Sequence, residues 1–337
     1  MTIEKHGNMW RISEQVNGKR FRVSVDHKPS EREARLLLSE KMANDRTARC
    51  GKGSFLHFAD KYISAKSNIL SPSTIRAYKS IIRNLSDDFC ETQLADITQE
   101  RIQIEINDYA ATHSAKSTHN AHGFISSIFG LYRPQMNIST TLPQKVKYDA
   151  VTPSEDDIQK ILEAVTGTFY EIAFRLGVYG MRRGEICAIT SADLDGNMLQ
   201  INKSKVLNDR EEWVIKPIPK TTDSQREIYI DDYLANLIRE KGEAFGTNPN
   251  LLNQHLHRLQ NRLKLPAFRF HDLRAYYATL AHSMGIPDKY IMANGGWSSN
   301  RIMDRVYKRT FAEKQADANR LMAERLGASV GHAVGQN

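Results

Sequence analysis

Four short stretches in the second half of this 337-residue sequence carry side chains that could do chemistry together. The first is Gly180-Met181-Arg182-Arg183-Gly184-Glu185, where a glycine-flanked turn leads into a short helix and lets Arg182 project from its start. The second is Lys220-Thr221, in a turn between two strand candidates. The third is His271-Asp272-Leu273-Arg274, whose spacing puts His271 and Arg274 on one helix face. The fourth is Gly295-Gly296-Trp297-Ser298-Ser299, with Tyr307 ten residues beyond Trp297. Guanidinium is planar, always charged and bidentate, so arginine suits a phosphate where lysine would be a poor substitute. Lysine and histidine can carry protons, an indole N–H can only donate, and tyrosine offers a nucleophilic hydroxyl. Such a set suits phosphodiester transfer, because fixed cations aimed at the nonbridging oxygens lower its barrier. Taken singly, each residue has a plainer explanation. Arg182 is a surface cation paired with Glu185, His271 a capping or core histidine, and Trp297 a core residue. Their joint order raises them together.

The elements that must position these groups follow from periodicity and turn chemistry. Met9 to Val16 and Lys19 to Val25 are strand-like, with a type I′ turn expected at Asn17-Gly18. Ser30 with Glu33 fits a capping box, and Ala34, Leu37, Leu38 and Met42 follow at helical spacing. Arg11, Lys19, Arg20 and Arg22 decorate this small sheet, either as a DNA-groove contact or as a solvated basic face. A polar connection with Gly51 and Gly53 precedes a helical block over 54–133. Its stripes are Phe55, Phe58, Ala59, Tyr62 and Ile63, then Ile75, Tyr78, Ile82 and Leu85, then Ile97, Arg101, Ile104 and Tyr109, then Ser117 to Tyr132. They predict core packing rather than cofactor contact. Residues 134–153 predict an extended linker. Ser154 with Asp157 caps the next helix, which opens a mixed domain with strand candidates at Met198 to Asn202, Glu212 to Lys216 and Arg226 to Ile230. Ala312 to Leu326 predict a last helix with Ala318, Leu321, Met322 and Leu326 on one face, before a flexible tail over 327–337.

Composition narrows the setting. Hydrophobic residues at 40% are enough for packed cores, and charged residues at 26% are ordinary for a globular protein. The net charge is +8 and the pI near 9.2, which favours a polyanionic partner. Residues 1–50 hold eleven Lys or Arg against seven Asp or Glu, so half the excess sits in a seventh of the chain. No apolar run reaches about 18 residues, and Met1 to Trp10 lack a secretory h-region. Cys50, Cys90 and Cys187 are few and far apart, which predicts a reducing compartment without a disulfide framework.

In order and spacing, residues 151–325 resemble the tyrosine recombinases, specifically the phage and mobile-element integrases of the lambda type. Residues 54–133 resemble the core-binding domain of that family, and residues 1–50 the arm-binding domain of its larger members. The resemblance implies that Arg182 and Arg274 clamp the scissile phosphate. It matches Lys220 to the β-hairpin lysine and His271 to the His-x-x-Arg histidine. Trp297 takes the final histidine-or-tryptophan position, Tyr307 the nucleophile's, and Glu185 that of a supporting acidic residue. Tyr179 and Ala275 depart from the common threonine and histidine of the pattern, and the Trp297 to Tyr307 interval is one longer than in many members. Tyr276, Tyr277 and Tyr290 are rival nucleophiles. The first two lie within the His271 helix, where packing is expected, and Tyr290 comes too early.

The expected fold is mainly α with small β-sheets: a ββ(β)α N-terminal module over 1–50, a helical domain over 54–133, a linker over 134–153, a mixed α/β catalytic domain over 154–326 and the tail. The expected activity is site-specific recombination that cleaves and rejoins DNA through a 3′-phosphotyrosine. No cofactor is expected. The pairs His119/His122 and His255/His257 lack the ligands of a zinc site, so no metal is expected either. By resemblance the partners are double-stranded attachment sites, three further copies of the chain in a tetramer on DNA, and accessory directionality or DNA-bending proteins. A bacterial host cytoplasm is the expected location, with no membrane partner. The alternatives are a type IB topoisomerase, which uses the same residues only to relax supercoils, and a catalytically silent DNA-binding regulator.

Overall fold

Alternating apolar and polar residues at the N-terminus form three antiparallel strands, β1 (Thr2–His6), β2 (Met9–Val16) and β3 (Lys19–Val25), paired in that order. The structure is a computed structural model that describes residues 1–16, 19–145, 151–218, 225–297 and 319–327, with 47–49 described by backbone alone. The expected turn at Asn17-Gly18 lies outside the described residues. Ile12 faces Ile3 on one side and Val23 on the other, so one sheet face is apolar. Helix α1 (Glu31–Arg49) covers it with Ala34 and Leu38. Its start is the expected capping box: Glu33 N–H donates to Ser30 Oγ at 3.2 Å, and Ser30 N–H to Glu33 Oε2 at 3.4 Å.

The helical block comprises α2 (Phe55–Ala65), α3 (Pro72–Asn84), the short α4 (Asp87–Glu91), α5 (Gln99–Thr112) and α6 (Ala115–Tyr132). Phe55, Phe89, Phe124 and Phe129 are buried at its centre, with Phe55 and Phe89 ring centroids 4.7 Å apart. Ile104, expected on the apolar stripe, is 45% exposed. The phase of α5 is set by its cap at Thr98. Ile102, Ile106 and Tyr109, at i, i+4 and i+7, therefore face inward instead. Residues 134–145 run without regular structure, with Met136, Ile138 and Leu142 packed on this core. The amides of Gln99 and Gln103 accept from Ser139 and Thr141 N–H at 3.1 and 2.8 Å.

The described residues fall into two compact units, Met1–Lys147 with Leu207–Glu212, and Tyr148–Val206 with Trp213–Asn337. Inside the first unit, Arg46 near the end of α1 reaches the C-terminal end of α3. It donates to the carbonyls of Ile82 and Leu85 at 2.7 and 2.6 Å and pairs with Asp87 at 2.8 Å.

The second unit opens at the expected Ser154/Asp157 capping box. Its helices are α7 (Glu155–Val165), α8 (Glu171–Val178), α9 (Arg183–Ile186), α10 (Asp232–Lys241), α11 (Asn250–Leu263), α12 (Leu273–Ser283) and α13 (Asp288–Gly295). Strands β4 (Leu194–Asp195), β5 (Met198–Ile201) and β8 (Arg226–Tyr229) make one antiparallel sheet, while β6 (Lys203–Leu207) pairs with β7 (Trp213–Pro217). The expected strands appear within a residue or so of their expected ends. β6 carries no apolar alternation, all its residues being half-buried, and its periodicity gave no signal. β7 and β8 belong to different sheets. Phe174, Phe245 and Phe270 anchor the core. Residues 319–327 are helical, with Leu321, Met322 and Leu326 exposed. The earlier part of that expected helix and the expected tail from 328 onward lie outside the described residues. The chain is thus mostly helical with small antiparallel sheets. Among the described residues no helix is long and apolar enough to cross a membrane.

Truncating Arg46 removes a buried cation and strips two helix-end carbonyls of their donor. Arg46→Ala should lower stability by about 2–4 kcal/mol in urea unfolding followed by circular dichroism. A loss under about 0.5 kcal/mol, the size of an ordinary surface change, would mean that the contact does not hold the two modules together.

Candidate active site

Arg182 sits at the N-cap of α9, two residues after the left-handed Gly180 (φ 83°). Its backbone N–H donates to Glu185 Oε2 at 2.8 Å, and its Nη1 pairs with Glu185 Oε1 at 2.7 Å. The side chain therefore projects from the helix start as expected, and remains 36% exposed. Glu185 is 1% exposed. Burial pushes its carboxyl up, but hydrogen bonding and charge from Arg226, then from Arg182, outweigh that and hold it below the ordinary value.

His271 and Arg274 do not share one α-helical face. His271 lies in the 3₁₀ turn Phe270–Asp272, closed by Arg269 N–H donating to Asp272 at 2.8 Å, and Arg274 lies in the first turn of α12. Arg274 is 2% exposed. A buried cation must be compensated. Its Nη2 donates to the Gly295 carbonyl at 2.8 Å and its Nη1 to the Gly180 carbonyl, and its Cζ stands 4.7 Å from the centre of the Trp297 ring. A desolvated cation over an indole face is worth about 2 kcal/mol. Burial, then the charge of Arg182, brings the Arg274 pKa down to about 9, so it is still a cation at neutral pH. Its Nε–H is buried without a partner among the described residues. An orphaned charged donor in this position calls for an acceptor, and an anionic oxygen would supply one.

Trp297 is 7% exposed and packs with Ala278, Ala281 and Ile291, so the plain expectation of a core tryptophan also holds. Its place depends on the two preceding glycines. A Cβ on Gly295 would come within 2.2 Å of the indole ring. Gly296 is left-handed (φ 65°), and its carbonyl accepts from Arg182 Nη2 at 2.5 Å. Arg182 and Arg274, far apart in sequence, thus donate to consecutive carbonyls of one turn. His271 is exposed, yet its surroundings lower its pKa, first by desolvation and then by the charge of Arg274. Both effects favour the neutral imidazole, the form that can accept a proton.

The structure brings Arg182, Glu185, Arg274 and Trp297 together, with His271 under the influence of both arginines. Lys220, Ser298, Ser299 and Tyr307 lie outside the described residues. Among the rival tyrosines, Tyr276 is buried in the core, Tyr277 packs against Gly180, and Tyr290 is 60% exposed on α13. Sequence reasoning treated Arg226 only as the start of a strand. It is in fact the third guanidinium of the cluster, bonded to Glu185 and to the carbonyl of Asn294. No spacing rule links Arg226 to Glu185, since the fold alone brings β8 beside α9. His119 donates to the Pro143 carbonyl at 3.0 Å, and His255 stacks on Tyr170 at 3.6 Å, so each has a structural place.

In the N-terminal sheet, Arg11, Arg20 and Arg22 share the face turned away from α1, as the register Gln15↔Arg20, Ser13↔Arg22 and Arg11↔Ser24 requires. Lys19 points to the other face. It pairs with Asp45 of α1 at 2.7 Å and lies 5.4 Å from the Phe21 ring centre. Three of the four expected basic side chains are therefore presented together, and Lys19 is engaged within the module.

Gly295→Ala must displace the Trp297 ring, and should cost about 1–3 kcal/mol. Gly123→Ala, in mid-α6 with nothing within 4 Å, should instead stabilise by about 0.5–1 kcal/mol. Thermal melts of the two variants check the pair, and equal midpoints would contradict the tight Gly295 contact.

Comparison with known proteins supplies a context for this geometry. Residues 54–109 match the phage integrase, N-terminal SAM-like domain. The tyrosine recombinase XerC-like protein of Caldanaerobacter subterraneus subsp. tengcongensis is 25% identical over 219 residues, covering 54% of this chain and 56% of that protein. The chain thus spans little more than half the length of that relative. Among solved structures, a fragment of the Tn1549 transposon integrase in complex with transposon right end DNA aligns with a TM-score of 0.63 at 15% identity, covering 81% of this chain and 99% of the other. A lambda integrase tetramer bound to a Holliday junction aligns with a TM-score of 0.53 at 18% identity, over 88% and 95%.

Proposed function

We propose that this chain, which has the fold of the integrases and sequence similarity to a tyrosine recombinase XerC-like protein, is a site-specific DNA recombinase. The observation that carries the proposal is the pair Arg182 and Arg274, anchored on consecutive carbonyls of the Gly295-Gly296 turn that leads to Trp297 and on to Tyr307. In the proposed reaction the two guanidiniums hold the nonbridging oxygens of a scissile phosphate, and the free Arg274 Nε–H finds its acceptor there. The Tyr307 oxygen attacks phosphorus as His271 takes its proton. The bond to the 5′-oxygen breaks, and Lys220 protonates that leaving group. A 3′-phosphotyrosine keeps the bond energy, and attack by a second 5′-hydroxyl reverses the step on a new strand. No nucleotide is consumed.

The same proposal assigns the remaining parts. Residues 1–50 bind DNA through Arg11, Arg20 and Arg22, residues 54–133 bind near the cleavage point, 134–153 form the linker, and 154–326 do the chemistry. The lambda integrase tetramer on a Holliday junction supports four copies acting on two duplex sites. The exposed Leu321, Met322 and Leu326 are apolar surface suited to such assembly. The enzyme would work in a bacterial cytoplasm, on the DNA of the element that carries its gene.

The test is incubation with a nicked suicide duplex taken from the DNA flanking the gene. The wild type should form a covalent adduct, in excess EDTA and without nucleotide. Tyr307→Phe should bind DNA normally and form none. An adduct that persists in Tyr307→Phe and maps to Tyr290 would place the nucleophile there.

A second measurement concerns the leaving group. Lys220→Ala should cleave ordinary DNA slowly, by about 10²–10⁴-fold, the range of a lost general acid. A substrate with a 5′-bridging sulfur needs no acid and should recover most of that loss. Equal slowing on both substrates would make Lys220 a phosphate contact only.

A further inference from the structure

Arg226 is the first residue of β8, paired across the sheet with Ile201 of β5. Its side chain is 5% exposed, too buried to meet a substrate. Among the described residues it is attached at two places, the Glu185 carboxylate and the Asn294 carbonyl. Nη2 pairs with Glu185 Oε2 at 2.8 Å, Nη1 donates to Glu185 Oε1 at 3.2 Å, and Nε donates to the Asn294 carbonyl at 2.6 Å. The same two carboxylate oxygens receive Arg182, through Nη1 at 2.7 Å and its backbone N–H at 2.8 Å. One carboxylate therefore orients two guanidiniums, one accessible and one not. The neighbouring turn leaves them no slack: a Cβ on Gly296 would come 2.9 Å from Arg226 Nη1 and 3.2 Å from Arg182 Nη1.

We infer that Arg226 is a positioning residue that aims Arg182 through Glu185 and, through the Asn294 carbonyl, sets the Gly295-Gly296-Trp297 turn. This rests on the proposed recombinase reaction, and extends it by tying the phosphate clamp to the segment that leads to Tyr307. Lysine could not replace Arg226, because one ammonium cannot span both carboxylate oxygens and a carbonyl.

The charge balance gives the role a signature that a merely structural ion pair lacks. Glu185 is faced by Arg182 from its own segment, by Arg226 from β8 and, at longer range, by Arg274 from α12, with the carbonyl-rich end of α13 beside them. Without Arg226, burial is less opposed and the carboxyl titrates at higher pH. Once protonated, Glu185 no longer holds Arg182 as an ion pair. Cleavage should then fail on the acid side, where the wild type still works.

The full-length protein is used in two arms. In the first, free of DNA, carbon NMR follows the Glu185 carboxyl through a pH titration, assigned by its loss in Glu185→Gln. In the second, single-turnover cleavage of the nicked flanking-DNA duplex is measured from about pH 5 to 9. Arg226→Gln should raise the Glu185 midpoint by about one unit or more. Its cleavage should fall about tenfold at pH 8 and progressively further as the pH is lowered toward the raised Glu185 midpoint, where the wild type still cleaves. DNA affinity should stay within about twofold of the wild type. Arg226→Lys should recover most of the Glu185 midpoint but little of the rate, and it serves as the test if Arg226→Gln does not fold. A wild-type Glu185 midpoint in Arg226→Gln overturns the inference. So does a wild-type rate and pH profile in Arg226→Lys, or a loss of cleavage equal at every pH and matched by lost DNA affinity. If the wild type itself makes no adduct, the recombinase proposal fails, and the DNA-free arm still decides whether Arg226 controls Glu185.

Discussion

At the centre of the second unit, one carboxylate holds together cations that would otherwise repel. Glu185 is 1% exposed and receives Arg182 and Arg226, while Arg274 lies within electrostatic reach. Three guanidiniums around one carboxylate leave a positive excess in a desolvated place. Taking such charges out of water costs several kcal/mol per ion, and Coulombic attraction offsets this only with good geometry and satisfied hydrogen bonds. Here the missing acceptors are backbone carbonyls, those of Gly180, Asn294, Gly295 and Gly296. Among the described residues the cluster keeps a net positive charge, with carbonyl dipoles in place of further carboxylates.

That dependence explains why glycines surround the site. Gly180 and Gly296 adopt left-handed backbone, and Gly295 lies under the indole of Trp297. A Cβ would meet the Tyr277 ring at Gly180, the Trp297 ring at Gly295 and the guanidiniums of Arg226 and Arg182 at Gly296. The turns before α9 and after α13 are consequently part of the charge arrangement. Trp297 closes the set from below, giving Arg274 a polarisable face where water would otherwise be needed.

The first unit is built on the same economy of buried cations. Arg46 is 9% exposed and meets two carbonyls at the end of α3 and the carboxylate of Asp87. It links the N-terminal module to the helical block, while Arg11, Arg20 and Arg22 remain on the outer sheet face. Lys19 is the contrasting case. It carries the same charge as Arg20 and Arg22 and lies on the same strand, but the alternation of the pleat turns it toward α1 and Asp45.

Local elements were legible in the residues themselves. The capping boxes at Ser30/Glu33 and Ser154/Asp157, the strands over β2 and β3, and most helical stripes follow from short-range hydrogen bonding and from periods of 2 and 3.6 residues, which no distant contact needs to supply. The order of Arg182, Lys220, His271, Arg274, Trp297 and Tyr307 was also visible, because residue type and sequence order survive without coordinates. Other features were not legible, strand β6 with its uniformly half-buried residues among them. The phase of α5, which exposes Ile104, was set by its cap and by what packs on it. The 3₁₀ turn at His271 broke the single helix face, because Asp272 folds back on Arg269. Arg226 joined the site only because β8 is brought against α9 and α13, and a contact between residues so far apart in the chain leaves no periodic trace. Short-range geometry is written in neighbouring residues, whereas the choice of which buried carboxylate meets which cation is made only when separate elements pack.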